Sequence, residues 1–191
     1  MPKTRRRYYR KVKKHWASHI DVLSTETTTG TPSAPGYLVH EICGNASDNV
    51  TPIPYLIKVG NISMDLGLHF YTEDPIGEAT SNWYTVGVVY VPEGVSLNSG
   101  VQVNALLLNH PEYVMWLKTL VPRYIPGAAT GNGSSLMLEN PSPIKVSSRL
   151  KRNLNSGDKI VFFVVAHTEQ VSQEIHCEIK GFIRYFTRMA S

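Results

Sequence analysis

Short runs of alternating or continuous apolar residues, many of them β-branched or aromatic, recur along the chain from residue 17 onward. Loops rich in Gly, Pro, Thr and Ser separate these runs, as is typical of strands. The predicted strands are 17–26, 37–43, 55–72, 83–92, 101–108, 144–152, 159–168 and 174–186. One helix is predicted at 110–120, because Pro111 fits the first helical position and a partial apolar stripe follows it. These eight runs with long, uneven loops predict an all-β fold. We expect a single eight-stranded jelly roll, a double-sheet sandwich, rather than an up-and-down barrel.

Two of the predicted strands have distinctive patterns. Residues 83–92 (WYTVGVVYVP) are apolar or β-branched almost throughout, which is typical of a strand covered on both faces. Residues 55–72 alternate for longer than an ordinary strand, so a bulge or bend is expected at Gly60 or Gly67.

The first fifteen residues, MPKTRRRYYRKVKKH, contain eight Lys and Arg and no acidic residue, whereas all fifteen Asp and Glu lie after them. The net charge of +4 therefore combines a strongly basic arm with a slightly acidic body. A segment of this charge density cannot build a core, and its natural counter-charge is a polyphosphate backbone. The interleaved aromatic residues could stack on unpaired bases. The nucleic-acid-binding residues predicted here are Lys3, Arg5, Arg6, Arg7, Tyr8, Tyr9, Arg10, Lys11, Lys13, Lys14 and Trp16.

This contrast in charge divides the chain into a basic nucleic-acid-binding arm, residues 1–16, and a jelly-roll domain, residues 17–191. Basic N-terminal runs also serve as nuclear-localisation signals, ribosomal-protein extensions and polybasic membrane contacts, and these alternatives stay open. An amphipathic transit peptide does not fit, because the run is too uniformly charged to present an apolar face.

A second cluster of positive charge lies on the predicted strand at 144–152. An Asn-Ser-Gly-Asp turn joins this strand to 159–168 and predicts a hairpin with Gly157 at positive φ. Alternation places three cations on one face of the strand, where they could extend the phosphate-contacting surface of the arm or form an ordinary charged outer face. These cations are Lys145, Arg149 and Lys151. The opposite face would carry Val146, Ser148, Leu150 and Arg152.

No motif of an enzyme is present: the chain has no Walker A run, no strand-embedded G-x-G-x-x-G, no H-E-x-x-H and no G-x-S-x-G. We therefore predict no catalysis, no cofactor and no metal site, with Glu73 and Asp74 in a solvated loop. The longest apolar stretch is too short to span a bilayer, so no membrane-spanning segment is expected. We predict no membrane partner, with polybasic contact of the arm as the open alternative. A basic start without an apolar h-region favours intracellular synthesis, where Cys43 and Cys177 would be reduced, buried thiols.

The combination of a basic arm with interleaved tyrosines, a predicted jelly roll and long final strands resembles a known family. It is similar to the capsid proteins of small circular single-stranded DNA viruses, the circovirus-like, Rep-encoding group. The local matches are TRRRYYRKVKKHW near the start and SSRLKRNLNSGDKIVFFVVAHT, which resembles the penultimate hairpin region of such capsids. The order of arm, jelly roll and short C-terminus spans nearly the whole chain, although this arm is short and the chain compact for that group.

The resemblance implies a coat protein of an icosahedral shell, commonly of sixty copies, whose arm points inward and binds the single-stranded viral genome. It also implies a virion location, passage through the host nucleus and a nuclear import receptor that reads the arm. The compact chain leaves open the coat protein of an RNA satellite virus. A different class of function stays open too. This is a non-viral or ribosome-associated nucleic-acid-binding module, which would expose base-reading aromatic residues on a sheet.

Overall fold

The computed structural model describes residues 16–45, 57–71, 82–126, 136–139, 144–168 and 175–189. Within these ranges the chain forms ten β-strands, one α-helix and one 3₁₀ turn. In chain order they are β1 (Ala17–Thr28), β2 (Gly36–Gly44), β3 (Ile57–Tyr71), β4 (Asn82–Val91), α1 (Gly100–Asn109), the 3₁₀ turn (Pro111–Tyr113), β5 (Val114–Leu120), β6 (Arg123–Pro126), β7 (Leu136–Glu139), β8 (Ile144–Leu154), β9 (Lys159–Thr168) and β10 (His176–Met189).

Eight of these strands form two four-stranded antiparallel sheets. Sheet 1 has the order β1-β10-β3-β8, and sheet 2 has the order β2-β9-β4-β5. Along these eight strands each one lies in the other sheet from the one before it, except at the step from β4 to β5. This alternation between two packed sheets is the topology of a jelly roll, so the predicted fold class is confirmed. Strands β6 and β7 form a separate two-stranded ribbon.

The main core lies between the two sheets and follows from alternation along the strands. On β3 every second residue is buried, in the phase that the sequence predicts: Ile62, Met64, Leu66, Leu68 and Phe70. The residues of sheet 2 in the same cluster include Tyr84, Val86, Phe162 and Val164. The register between β3 and β8 shifts between Gly60 and Ile62, which confirms the irregularity expected at Gly60 and not at Gly67.

A second apolar layer lies on the other side of sheet 2, under helix α1. Val103 and Leu106 of the helix belong to one buried cluster with Val89 of β4 and with Phe163 and Val165 of β9. Burial of the two helical side chains stabilises this layer by about 1.5–3 kcal/mol each. Strands β4 and β9 are therefore covered on both faces, as the continuous apolar run at 83–92 predicts.

The predicted strand at 101–108 is wrong, since these residues form α1. The helix begins with a capping arrangement: the Ser99 Oγ accepts a hydrogen bond from the Gln102 backbone N at 3.2 Å. In turn the Gln102 Oε1 accepts one from the Asn98 backbone N at 2.6 Å. The sequence contains the matching signal, Ser-x-x-Gln at 99–102, and this local signal outweighs the apparent alternation of Val-Gln-Val.

The predicted helix at 110–120 is also wrong. Pro111 begins only a three-residue 3₁₀ turn, after which Val114–Leu120 continue as β5 and pair with β4. Pairing with β4 places Met115 and Leu120 in the main core, each 5% exposed. Packing on a neighbouring strand therefore decides the state of this segment over its helical pattern. The two errors offset each other, which is why the count of eight sandwich strands is right.

The predicted hairpin at the Asn-Ser-Gly-Asp turn is wrong as well, because β8 lies in sheet 1 and β9 in sheet 2. The turn conformation itself is as expected, with Gly157 at φ 84°. The buried Asp158 carboxylate fixes the crossing between the sheets. It accepts hydrogen bonds from the Tyr90 hydroxyl at 2.7 Å, the Glu93 backbone N at 3.0 Å and the Asn155 backbone N at 2.8 Å. These bonds connect the end of sheet 1 to the end of β4 in sheet 2.

Candidate nucleic-acid interface

The structure places the described members of the predicted binding set on one side of the sandwich. The arm residues lie outside the described residues; these are Lys3, Arg5, Arg6, Arg7, Tyr8, Tyr9, Arg10, Lys11, Lys13 and Lys14. The other members are Trp16, Lys145, Arg149 and Lys151. They lie on or beside the face of sheet 1 that points away from sheet 2, which we call the outer face of sheet 1.

Trp16 marks the point where the arm joins this face, immediately before β1. Two cations lie over its ring: the Arg188 guanidinium at 4.8 Å from the ring centroid and the Lys151 ammonium at 5.6 Å. Cation–π contacts of this kind stabilise by about 0.5–1 kcal/mol at exposed sites. The ring is thus in contact with cations of β8 and β10, while base stacking on Trp16 stays a prediction. The contact draws two positive charges together at the root of the arm.

The three predicted cations of β8 are all exposed. In the strand register, Lys145 lies opposite Asp65 of β3, and Lys151 lies opposite Gly60, beyond the register shift. The predicted separation of faces holds for Ser148, which is buried with its hydroxyl donating to the Met115 carbonyl at 3.2 Å. It does not hold for Leu150, which is 50% exposed, because the irregularity next to Gly60 interrupts strict alternation.

Strand β10 contributes further cations that the sequence interpretation missed. Lys180 and Arg184 are exposed on the outer face, and Arg188 is partly buried against Trp16. The signal was present in the strand itself, because the run Ile-Lys-Gly-Phe-Ile-Arg alternates and Ile179 and Ile183 are completely buried. Assigning the isoleucines to the core would have placed the intervening cations outside.

Most of these cations form no ion pair with another described residue. Within the described residues, Lys180 forms an ion pair with Glu178 of the same strand. No other ion pair between described residues includes a cation of the outer face, whether on β8 or on β10. Asp65 is an exposed acidic residue among these cations. Unpaired cations on one sheet face provide a surface to which phosphates can bind.

Exposed apolar side chains lie among the cations. Phe182 is 58% exposed and is paired in register with Val22 of β1, which is 63% exposed. Ile20, two residues before Val22, is 61% exposed and is paired with Arg184. On the other side of Phe182, a depression of about 330 Å³ is lined by Ser63, Met64, Asp65, Lys145, Phe182 and Arg184.

The end of the same sheet that lies away from the arm carries acidic side chains. Glu26 accepts hydrogen bonds from the Tyr71 hydroxyl and from His176, whose Nδ1 lies 2.7 Å from the carboxylate. The hydrogen bond from Tyr71, helped by His176, holds the pKa of Glu26 below its ordinary value. Glu178 lies on the neighbouring strand opposite Glu26. The sheet is therefore basic near the arm and acidic near the start of β10.

The remaining chemically reactive groups are buried or dispersed. Cys177 is fully buried and Cys43 partly buried, and both are free thiols. Burial raises the pKa of Cys43 to about 11 and that of Cys177 to about 12, so both thiols stay protonated at neutral pH.

Among the described residues, no group of three His, Cys, Asp or Glu could hold a metal ion. Glu73 and Asp74 lie outside the described residues. No helix within the described ranges has the length and apolarity needed to cross a bilayer.

No family model matches the chain, and no curated protein matches it. Among solved structures, the chain is similar to a human norovirus GI.7 Houston strain virus-like particle in T=3 symmetry. The identity is 10% and the TM-score 0.34, over 90% of this chain and 32% of that chain. It is similar to turnip yellow mosaic virus at 12% identity and a TM-score of 0.30, over 93% of this chain and 97% of that chain. For desmodium yellow mottle tymovirus the identity is 12% and the TM-score 0.29, over 92% and 85%. The assignment of the jelly-roll fold comes from the strand order of the two sheets.

Proposed function

We propose that this chain is a viral coat protein that assembles into a closed shell and packages a nucleic-acid genome through its basic arm. The observation that carries the proposal is the position of the root of the arm. Trp16 lies against Lys151 and Arg188, so an arm with eight cations joins a jelly-roll body at a face that is itself positive. Two-sheet jelly rolls are a recurrent building block of viral capsids, and the charge provides the affinity for a polyphosphate.

The surface away from the cationic face supports the assembly part of the proposal. On the side of sheet 2, Leu108 of α1 is 82% exposed, Val101 is 51% exposed, and Val121 after β5 is 64% exposed. Apolar side chains of this exposure are suited to burial between copies of a homo-oligomer. In this arrangement residues 17–191 form the shell domain and residues 1–16 the arm.

The finer features of the proposal come from the sequence resemblance. They are a shell of sixty copies, a circovirus-like single-stranded DNA genome, an arm that doubles as a nuclear-localisation signal for an import receptor, and no enzymatic activity. The coat protein of an RNA satellite virus is the alternative within the same class. Sequencing of the nucleic acid from purified particles would distinguish the two.

The experiment that tests the proposal compares the full chain with a chain lacking residues 1–15. Size-exclusion chromatography with light scattering and negative-stain imaging report assembly, and the absorbance ratio at two wavelengths reports packaged nucleic acid. The full chain should form uniform megadalton particles that contain nucleic acid, and the truncated chain should stay folded without it. A homogeneous species near the monomer mass of 21.3 kDa across salt and pH conditions would refute the coat-protein proposal.

Two variants of equal length provide matched controls for the deletion. Replacement of all Lys and Arg in the arm by Gln removes the charge, while replacement of each Arg by Lys retains it. Only the Gln variant should behave like the deletion. For the Gln variant, the slope of log affinity against log salt concentration should become shallower by roughly five to six. About 0.7 counterion is released per neutralised phosphate of a single strand, and this variant lacks the eight cations of the arm.

A specific observation also favours the second class of function, a nucleic-acid-binding module that does not assemble. Phe182 is an aromatic residue exposed on a sheet among cations, which is the feature expected of such a module. The same light-scattering measurement separates the two functions, because a module would bind nucleic acid as a monomer or small oligomer.

A further inference from the structure

Phe182 occupies an unusual place for a large apolar side chain. It lies near the middle of β10 on the outer face of sheet 1 and is 58% exposed. The nearest residues of β10 on the same face are Lys180 and Arg184, and both are exposed. Since a strand rises about 3.3 Å per residue, these two cations lie roughly 13 Å apart with the ring between them. Lys145 lies across β3 from the ring and lines the same depression.

We propose that Phe182 is a stacking platform for an unpaired base, and that Arg184, Lys145 and Lys180 contact the phosphates on either side of it. This inference rests on the nucleic-acid binding proposed above and names its ligand class, a single strand. Aromatic platforms of this type bind bases of any sequence, because every base has a π-face.

The distribution of charge along the depression favours a base next to Phe182. Lys145 and Arg184 line the depression, and Asp65 lies between Phe182 and Lys145 in the strand register. A phosphate above Asp65 would be repelled, while the exocyclic amino group of a base can donate a hydrogen bond to a carboxylate. The ring of Phe182 and the carboxylate of Asp65 therefore match a base, and the surrounding cations match its backbone.

This arrangement predicts a preference for single strands over duplexes. A duplex presents phosphates, but its bases are paired and stacked, and extruding one of them costs a few kcal/mol. A duplex could therefore use the cations and not the ring of Phe182. The cations of the arm add affinity for both forms.

A second copy of the chain fits this face less well. Self-association through the outer face of sheet 1 would bring the cations of one copy, such as Arg184 and Lys145, close to those of the other. Like charges placed opposite one another cost several kcal/mol at an interface. The root of the arm lies on this same face, where Trp16 contacts Arg188, six residues along β10 from Phe182. At about 3.3 Å per residue this is roughly 20 Å, a span that a single strand held by the arm can cover along the face.

The test measures the binding of the full-length protein to a fluorescein-labelled single-stranded oligodeoxynucleotide of mixed sequence and to a duplex of equal length. Fluorescence anisotropy is recorded at elevated salt, which weakens the contribution of the arm. Phe182→Leu keeps an apolar side chain but removes the aromatic ring, and Phe182→Tyr keeps the ring. Val22→Ala, on the adjacent exposed position, is the matched control.

We expect Phe182→Leu to weaken single-strand binding roughly 5- to 150-fold, the equivalent of about 1–3 kcal/mol for one stacked base. Duplex binding should not change, and Phe182→Tyr and Val22→Ala should resemble the wild type with both probes. Equal losses for the two probes, or no loss for the single strand, would overturn the inference.

Two further outcomes separate this inference from the proposed function. If the wild type binds both probes and forms shells, and Phe182→Leu changes neither the binding nor the assembly, only the stacking platform is refuted. If Phe182→Leu prevents assembly and leaves binding intact, the face is a contact between copies and the platform is again refuted. If the wild type binds neither probe, both the packaging function and the platform fail.

Discussion

Replacement of Asp158 by Ala tests whether the crossing between the sheets depends on one buried carboxylate. Asp158 is 3% exposed and accepts hydrogen bonds from the Tyr90 hydroxyl and from the backbone N–H groups of Glu93 and Asn155. Hydrogen bonds to a charged group contribute about 1.5–3 kcal/mol each, and a partner left buried without one adds a penalty. Because water can replace part of what is lost, we expect Asp158→Ala to lower the free energy of unfolding by about 3–5 kcal/mol.

The assay is urea denaturation followed by tryptophan fluorescence, at a protein concentration where light scattering shows no assembly. Tyr90→Phe removes one of the three hydrogen bonds and should cost about 1–2 kcal/mol. Asp65→Ala removes an exposed carboxylate and should stay within about 0.5 kcal/mol of the wild type. The reasoning is refuted if Asp158→Ala costs no more than Asp65→Ala, or if Tyr90→Phe alone costs as much as Asp158→Ala.

Two further predictions concern packing and pH. Gly181→Ala should destabilise the body by about 3 kcal/mol or more, because the added methyl would fall on the backbone carbonyl oxygen of Asp65 in the neighbouring strand. Gly67→Ala is its control, with only the Lys180 carbonyl at 3.6 Å, and equal melting temperatures for the two variants would contradict this account. Burial lowers the pKa of His167 below its ordinary value of 6.5, so the unfolded chain takes up a proton first as the pH falls and the wild type loses stability below that pH. His167→Gln should remove this component, and parallel stability curves for the two proteins in mild acid would show that His167 does not contribute it.

The sequence predicts most of the sandwich because every second residue of a strand faces the core, which gives the strands an apolar period of two. The alternation of β3 and the continuous apolar run of β4 both correspond to what the structure buries. The segment from 101 to 120 could not be assigned by periodicity alone. Its helix depends on a cap at Ser99, and its strand depends on pairing with β4, a contact distant in sequence. The partner of a strand is likewise invisible in local pattern, which is why β8 and β9 were expected to form a hairpin.

The candidate interface was predicted only where charge is dense in sequence. The arm and the cations of β8 stand out as clusters, whereas Lys180 and Arg184 are separated by apolar residues and belong to the same surface only through the strand. Sheet pairing then brings β10 and β8 to either side of β3. A surface assembled from alternate residues of different strands has no contiguous sequence signature. The sign of its charge becomes clear only when it is known which alternate residues of each strand are buried.

The cationic face and the core of sheet 1 are fixed by the same register. A slip of β10 by one residue would turn Lys180, Phe182 and Arg184 toward sheet 2 and expose Ile179 and Ile183. Burial of the isoleucines therefore keeps the cations and the aromatic ring outside, whatever contacts those exposed side chains themselves make. It follows that substitutions on the outer face can change binding while leaving the fold intact, whereas a substitution that disturbs the buried phase changes both. Loss of binding in a variant whose unfolding free energy is unchanged can consequently be attributed to the face itself.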